Sequence, residues 1–424
     1  MNEINNENKL VYPIYTVINH CINKEIYRGE LYCNLLKKFI NSCLLNLNET
    51  IFSHKKSPNR TLTNLLSSWF FTLYHNYDFK DDPFFPTNYN HMNQLMKTLE
   101  DYCSINIVPN HKQKITNIIN DLSSNYSELL IKLNNYINIK YNINVTKEII
   151  IQDRNSRKIL FYKFILHTDS NILTKTYCNK LNNIINNVIL PINEYNNMKT
   201  RYKHINQETE HYEQAMDNII WIILFRYQLL SSNNNQLAVM PNILDNMKTD
   251  FKLSFECFAS AINSSFPNYC SIYYDVERYF GSIGSYFNMI PTKGTYSFNP
   301  PYQYDIINNG IERMIQHLDN TTYILTFIIT IPIWDIEGKT YMAQNMTENN
   351  NNIIQYEDFN IMSVIKQSKY FKGLKMISKE KFTYFDHNFH LFKNKSIQNT
   401  YIILLSNDNI NTDIINCYDF YNYS

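Results

Sequence analysis

Up to about Leu244, apolar residues recur mostly at helical spacing, whereas beyond Asp245 they gather into short runs. Leu181, Ile184, Ile185, Val188 and Ile189 repeat at i, i+3, i+4, i+7 and i+8, and Pro191 follows as a stop signal, which predicts a helix. Ile118, Ile119, Leu122, Leu129, Leu130 and Leu133 predict another. Residues 215–230 are nearly apolar throughout, the pattern of a helix buried between two layers. The exception in this half is Ile149-Ile150-Ile151 and Ile159-Leu160-Phe161. These runs flank the polar turn Asp153-Arg154-Asn155-Ser156-Arg157 and predict a β-hairpin.

In the second half, apolar runs of strand length (255–258, 324–331 and 401–405) alternate with helical or loop segments. That alternation predicts an α/β sheet with helices on its faces. Pro241 and polar residues interrupt the pattern near 242–250. The expected division is a mainly helical domain with a β-hairpin over residues 1–244 and an α/β domain over 245–424. A length of 424 residues agrees, since single cores stop growing at roughly 250–300 residues.

Composition narrows the possibilities. The net charge is +1, so no global field draws the chain to nucleic acid, and any such contact needs a local patch. The eight cysteines form no CxxC pair and no metal-ligand spacing, so reduced, buried thiols and no metal are expected. Residues 1–9 lack the apolar core of a signal peptide, and the apolar stretch 323–334 is shorter than the roughly 20 residues of a membrane span. An intracellular, soluble protein that needs no membrane is the expectation. Asn-rich runs such as 349–352 read as loop filler.

One element carries chemistry. Ser297-Phe298-Asn299-Pro300-Pro301-Tyr302 ends an extended stretch and precedes a helix predicted from about Tyr304 to Leu318. The exocyclic amine of adenine is a poor nucleophile because its lone pair is delocalised into the ring. An Asn299 side-chain oxygen and a Pro300 carbonyl can hold its two N–H groups and turn the lone pair towards a methyl donor. Pro300 and Pro301 fix φ and stiffen the loop, and Tyr302 can stack on the base. A plain Pro-Pro turn with an Asn helix cap is the alternative.

About forty residues earlier, Phe255-Glu256-Cys257-Phe258-Ala259-Ser260 is an apolar strand bearing an acid, followed by a small-residue turn. In a doubly wound sheet, cofactors sit beyond such a first strand. Tyr274-Asp275-Val276-Glu277 and Tyr279-Phe280-Gly281-Ser282 come next. Asp275, with Glu277 as second choice, is the candidate partner for ribose hydroxyls, a solvated loop acid being the alternative.

Taken in order, these motifs resemble the phosphorylated-CTD-interacting-factor family of cap-specific adenosine N6-methyltransferases. The likeness extends upstream to Trp221-Ile222-Ile223-Leu224-Phe225-Arg226-Tyr227 and downstream to Phe327–Trp334, with weaker echoes at 369–384 and 405–408. The resemblance implies a Rossmann-like methyltransferase domain packed against a helical domain, S-adenosylmethionine as cofactor, and capped mRNA as substrate. The target would be N6 of the first transcribed, 2′-O-methylated adenosine beside the 7-methylguanosine cap. It assigns Asn299, Pro300, Pro301 and Tyr302 to the target amine. To the cofactor it assigns Glu256, Phe258, Ala259, Ser260, Asp275, Phe280, Gly281 and Ser282. Tyr302 stands where the family often has Phe, Ala261 where it usually has Pro, and Ile283 where it usually has Arg. No WW domain is recognisable near the N-terminus.

Weaker features complete the picture. Trp334 could stack on a base or only pack. Arg154 and Arg157 could meet phosphates or form a solvated turn, and Lys55, Lys56 and Arg60 read the same way. His387 and His390 are too few for zinc. Two further readings stay open: an adenine N6-methyltransferase acting on DNA or internal RNA, and a catalytically inactive cap-binding subunit. Nothing in the sequence requires a protein partner.

Overall fold

The computed structural model describes residues 22–47, 57–75, 82–86, 92–105, 110–136, 143–154, 157–168, 178–206, 212–230, 236–332, 361–387, 393–396 and 399–409. Helices α1 (Ile22–Leu47), α2 (Pro58–His75), α3 (Met92–Ile105) and α4 (His111–Asn134) come first. On α4 the buried residues Ile115, Ile118, Leu122, Tyr126, Leu129 and Leu133 form one face at helical spacing. The predicted hairpin is present as β1 (Ile143–Arg154) and β2 (Arg157–Thr168), antiparallel with Ile150 opposite Phe161.

The next helix, α5 (Asn179–Asn186), stops before the apolar spacing does. Ile189 instead opens β3 (Ile189–Pro191), an edge strand antiparallel to β2 with Leu190 opposite Tyr162. Val188, Ile189 and Leu190 are all buried, so pairing beside β2 outweighs another half-turn of helix. Helix α6 (Ile192–Ile205) follows directly, then α7 (Tyr212–Leu230). Every residue of α7 from Ile219 to Leu230 is buried, as an apolar pattern on all sides requires. It packs against α1, α5 and β1.

The second half runs through β4 (Leu237–Val239), α8 (Pro241–Asp250), β5 (Leu253–Glu256), the single turn α9 (Tyr274–Glu277), β6 (Gly294–Phe298), α10 (Tyr304–Asn320) and β7 (Leu325–Pro332). It continues with α11 (Ile361–Gln367), β8 (Phe371–Ile377), β9 (Tyr384–Asp386), β10 (Lys393–Lys395) and β11 (Thr400–Ser406). The main sheet has the order β5-β6-β7-β11-β8. β5, β6 and β7 are parallel, while β11 is antiparallel to both β7 and β8. Isolated parallel bridges from Glu256 to Tyr269 and from Tyr269 to Ser282 carry the pairing outward beyond β5. The chain therefore leaves β5 in one direction and returns on its other side as β6.

Helices cover both faces. Phe327, Ile329, Ile331, Ile403 and Leu405 pack with α10 and α11. The alternate residues Ile328, Ile402 and Leu404 pack with Ile243, Leu244 and Met247 of α8. The segment expected to mark a domain boundary is thus α8, a helix lying on the sheet. Gly310 lets α10 approach β6, since a Cβ there would lie 2.5 Å from Phe298 Cζ. The long connection from β5 to β6 is fastened to the helical body instead. Ala261, Ile262, Tyr269, Tyr273, Val276 and Phe280 share one core with α1, α2 and α7. The sheet's carboxyl edge and the helical body consequently meet.

Candidate active site

At that meeting point the carboxyl ends of β5 and β6 border an open cleft of about 570 Å³, solvent at its mouth included. Cys257–Ser260 line it from the end of β5 and Asn299–Tyr302 from the end of β6. Gln236 and Leu237 line it at the start of β4, and Phe71 of α2 and Tyr227 of α7 come from the helical body. Ligands of open α/β sheets bind at this place, where strand order reverses and no side chain of the sheet fills the gap.

Asn299 is held at both ends. Its Nδ2 donates to the Leu237 carbonyl at 3.3 Å, and its Oδ1 accepts from the Tyr302 hydroxyl at 3.3 Å. The first bond fixes which end of the carboxamide is nitrogen. Oδ1 then keeps a second lone pair for a ligand N–H. The Gln303 amide donates to the Pro301 carbonyl at 2.7 Å, and α10 begins at the next residue, so the Pro-Pro loop runs stiffly into a helix. Thr72 Oγ1 of α2 donates to Gln303 Oε1 at 3.2 Å, tying this loop to the helical body. The Tyr302 ring meets Tyr384 edge-on at 6.0 Å.

At the end of β5, Phe258 packs at 5.1 Å against Phe298 and at 5.2 Å against Tyr286, giving an aromatic wall. Ser260 closes the turn. Its amide donates to Asn263 Oδ1 at 2.7 Å and its hydroxyl faces Gln236 Oε1 at 2.8 Å. Gln236 is 3% exposed, and its Nε2 has no hydrogen-bond partner among the described residues. None of the described residues lining the cleft is Asp, Glu, His, Lys or Arg.

The expected cofactor residues are divided. Phe258, Ala259 and Ser260 line the cleft, whereas Glu256, Asp275, Phe280, Gly281 and Ser282 do not. Glu256 is buried and accepts from Ser264 Oγ and the Ser265 amide, both at 2.8 Å. Burial, partly offset by those bonds, raises its carboxyl to about 7. Asp275 does not follow a strand; it lies in α9, 6% exposed, with both carboxylate oxygens on Arg226 at 2.8 and 2.9 Å. Glu277, the second choice for the ribose, accepts from Tyr227 at 2.7 Å and from the Ala261 amide at 3.0 Å, and burial raises it to about 7. Phe280 packs on Tyr202 at 5.6 Å. Gly281 has φ +104°, and a Cβ there would lie 1.8 Å from the Pro267 carbonyl oxygen, so its role in this structure is the turn itself. Ser282 Oγ pairs with Ser271 Oγ at 2.7 Å. These five residues hold the β5–β6 connection in shape.

Sequence reasoning overlooked Gln236, Asn263, Tyr227 and Phe71 as cleft residues. Only Tyr227 carried a signal, as the end of the Arg226-Tyr227 element. Trp334, His390, Lys55 and Lys56 lie outside the described residues. Arg154 and Arg157 face each other across the hairpin turn in the backbone register. His387 is buried, which pushes its imidazole down to about 3. Among the described residues there is no cluster able to hold a metal ion, and no helix long and apolar enough to cross a membrane.

Residues 197–373, which contain α7, β5, β6, the Asn299–Tyr302 loop and β7, match the family model described as the phosphorylated CTD interacting factor 1 WW domain. Over this region the chain is similar to the phosphorylated CTD interacting factor family. Two relatives agree, both named mRNA (2'-O-methyladenosine-N(6)-)-methyltransferase. The one from Homo sapiens is 23% identical over 249 residues, covering 57% of this chain and 32% of the relative. The one from Mus musculus is 31% identical over 121 residues, covering 27% of this chain and 17% of the relative. The chain therefore matches a third or less of either relative's length. The family match runs through both cleft-lining loops, so likeness in sequence and geometry fall on the same residues.

Proposed function

We propose that the chain transfers a methyl group from S-adenosylmethionine to N6 of the first transcribed, 2′-O-methylated adenosine of capped mRNA. The observation that carries this reading is the Asn299 carboxamide, oriented by Leu237 and Tyr302 at the carboxyl end of β6 and bordering the cleft at the end of β5. The relatives' names supply methyl transfer to N6 of a 2′-O-methyladenosine in mRNA. The strand order, reversing between β5 and β6 with helices on both faces, supports a Rossmann-like domain.

The cleft suits the cofactor: aromatic walls for an adenine, hydroxyl and amide groups for polar atoms, and one buried amide nitrogen awaiting a partner. When bound, S-adenosylmethionine supplies an electrophilic methyl group. The protein's part is positioning. Asn299 Oδ1 accepts one N6–H of the target adenine and the Pro300 carbonyl accepts the other, so the lone pair turns towards the methyl carbon. Tyr302 stacks on the base. Solvent takes the extra proton; among the described residues lining the cleft there is no carboxylate or imidazole. Arg154, Arg157 and Trp334 are the proposed RNA contacts, and this role places the protein inside the cell.

The test is methyl transfer from labelled S-adenosylmethionine to matched short RNAs beginning with capped A, capped G or uncapped A. Transfer to capped A alone, lost in Asn299→Ala, is the expected result. Equal transfer to uncapped RNA would make the protein a general adenine methyltransferase. No transfer, with cofactor binding intact, would make it a binding subunit.

A further inference from the structure

We infer that Gln236 binds the amino-acid end of the methyl donor, a zwitterion carrying a carboxylate and an ammonium group. The inference rests on the S-adenosylmethionine reading above and extends it to a residue that no motif marks. A buried amide left without a partner costs stability, and native structures rarely keep one without a use. Gln236 lines the cleft, is 3% exposed, and has one amide atom unpaired.

Its other amide atom is taken by Ser260. The Ser260 hydroxyl has one proton and faces two oxygens, Gln236 Oε1 at 2.8 Å and Asn263 Oδ1 at 3.0 Å. With the proton towards Gln236, Nε2 is left over as a donor. With the proton towards Asn263, the carboxamide turns, Nε2 donates to Ser260 Oγ, and Oε1 is left over as an acceptor. A zwitterion satisfies either arrangement, its carboxylate meeting the donor or its ammonium meeting the acceptor.

Position favours the amino-acid end over the rest of the ligand. The target base belongs at Tyr302 and Asn299, and a cofactor adenine suits the aromatic wall of Phe258 and Tyr286. Among the described residues no charged side chain lines the cleft, so neutral groups there meet the ligand's charges, and the buried Gln236 amide keeps an atom without a partner among them. The residue is also well braced: its carbonyl accepts from the His387 amide at 3.0 Å, and the next carbonyl, of Leu237, holds Asn299. One dipeptide thus touches the ends of both strands.

The experiment is calorimetric binding of two ligands to the full chain, S-adenosylhomocysteine, which has the amino-acid end, and 5′-methylthioadenosine, which lacks it. Gln236→Leu should weaken S-adenosylhomocysteine roughly tenfold to a hundredfold and change 5′-methylthioadenosine by no more than about twofold. If Gln236→Leu does not fold, Gln236→Met, which is close to the native side chain in size and lacks its amide, should show the same selective loss. An equal loss for both ligands, or no loss for either, overturns the inference while leaving the methyl-donor reading in place. A wild-type chain that binds neither ligand overturns the methyl-donor reading itself, and this inference with it.

Discussion

Two polar regions lie on either side of the β5–β6 connection, and they are built on opposite rules. Around Arg226 the charged side chains are paired with one another. Its guanidinium holds Glu25 at 2.7 and 3.0 Å as well as Asp275, while Arg28 bonds both Glu25 and Asp82. Burial would raise the Glu25 carboxyl, but Arg226 and Arg28 outweigh it and hold it below the ordinary carboxylate value. The cluster joins α1, α7, α9 and the 82–86 segment with its charges saturated. Around Asn299 and Gln236 the lining groups are neutral, and one buried amide atom is unmet. A saturated network has nothing left for a ligand and serves to lock elements together, whereas a neutral, under-satisfied cleft keeps bonds in reserve.

The sharpest way to break this contrast is Arg226→Met. It takes the shared guanidinium away from two buried carboxylates, leaving Glu25 to Arg28, so stability should fall by roughly 3–5 kcal/mol in chemical denaturation. Adding Glu25→Leu and Asp275→Leu should recover most of that loss, because burying no charge costs less than burying an unpaired one. Retained stability in the single variant would show that the network locks nothing.

Next in size, Asn299→Ala should lower methyl transfer about 10²–10³-fold. It should cost only about 2 kcal/mol of stability, the value of two neutral hydrogen bonds. A stability loss as large as that of Arg226→Met would erase the distinction between the two regions.

Tyr302 refines the cleft. Tyr302→Ala should weaken RNA binding by about 1–3 kcal/mol through lost stacking, whereas Tyr302→Phe keeps the ring and removes only the hydroxyl that orients Asn299. The second change should therefore appear in kcat more than in KM; the reverse split would remove the hydroxyl from the positioning role.

Glu277 gives the smallest effect and sits between the regions. Burial raises its folded pKa to about 7, above the ordinary 4.5. The native state then binds more protons than the unfolded chain between pH 4.5 and 7, so stability falls as pH rises through that window and levels off above it. Glu277→Gln should make this decline shallower by up to about 1.4 kcal/mol per pH unit, measured by denaturation at pH 5, 6, 7 and 8. Glu256, raised to about 7 as well, leaves part of the decline in place. An unchanged slope would mean that Glu277 is not the carboxyl being titrated.

Much of this was readable along the chain, and the failures are informative. The Asn299–Tyr302 loop stood out because its particular groups are contiguous in the chain, and it lines the cleft. Phe258–Ser260 stood out because they follow directly on a strand, and they too line the cleft. Asp275 was misjudged because its partner, Arg226, lies 49 residues away. An acid after an apolar run looks the same whether it meets a ribose or a guanidinium. Val188 and Ile189 keep helical spacing, yet β2 offers Ile189 an edge to pair with. Gln236 follows a Ser-Asn-rich stretch and carries no pattern at all.

By itself, then, the sequence determined the elements whose apolar period is long and unbroken, α4, α7, the hairpin and β7, together with the one loop whose chemistry is contiguous. Only the tertiary structure decided which carboxylates are spent on guanidinium groups and which amide is left unpaired. Periodicity is a local property of a few turns or one strand. Whether a polar atom is satisfied depends on every element packed around it, and for Asp275 and Gln236 those elements come from distant parts of the chain.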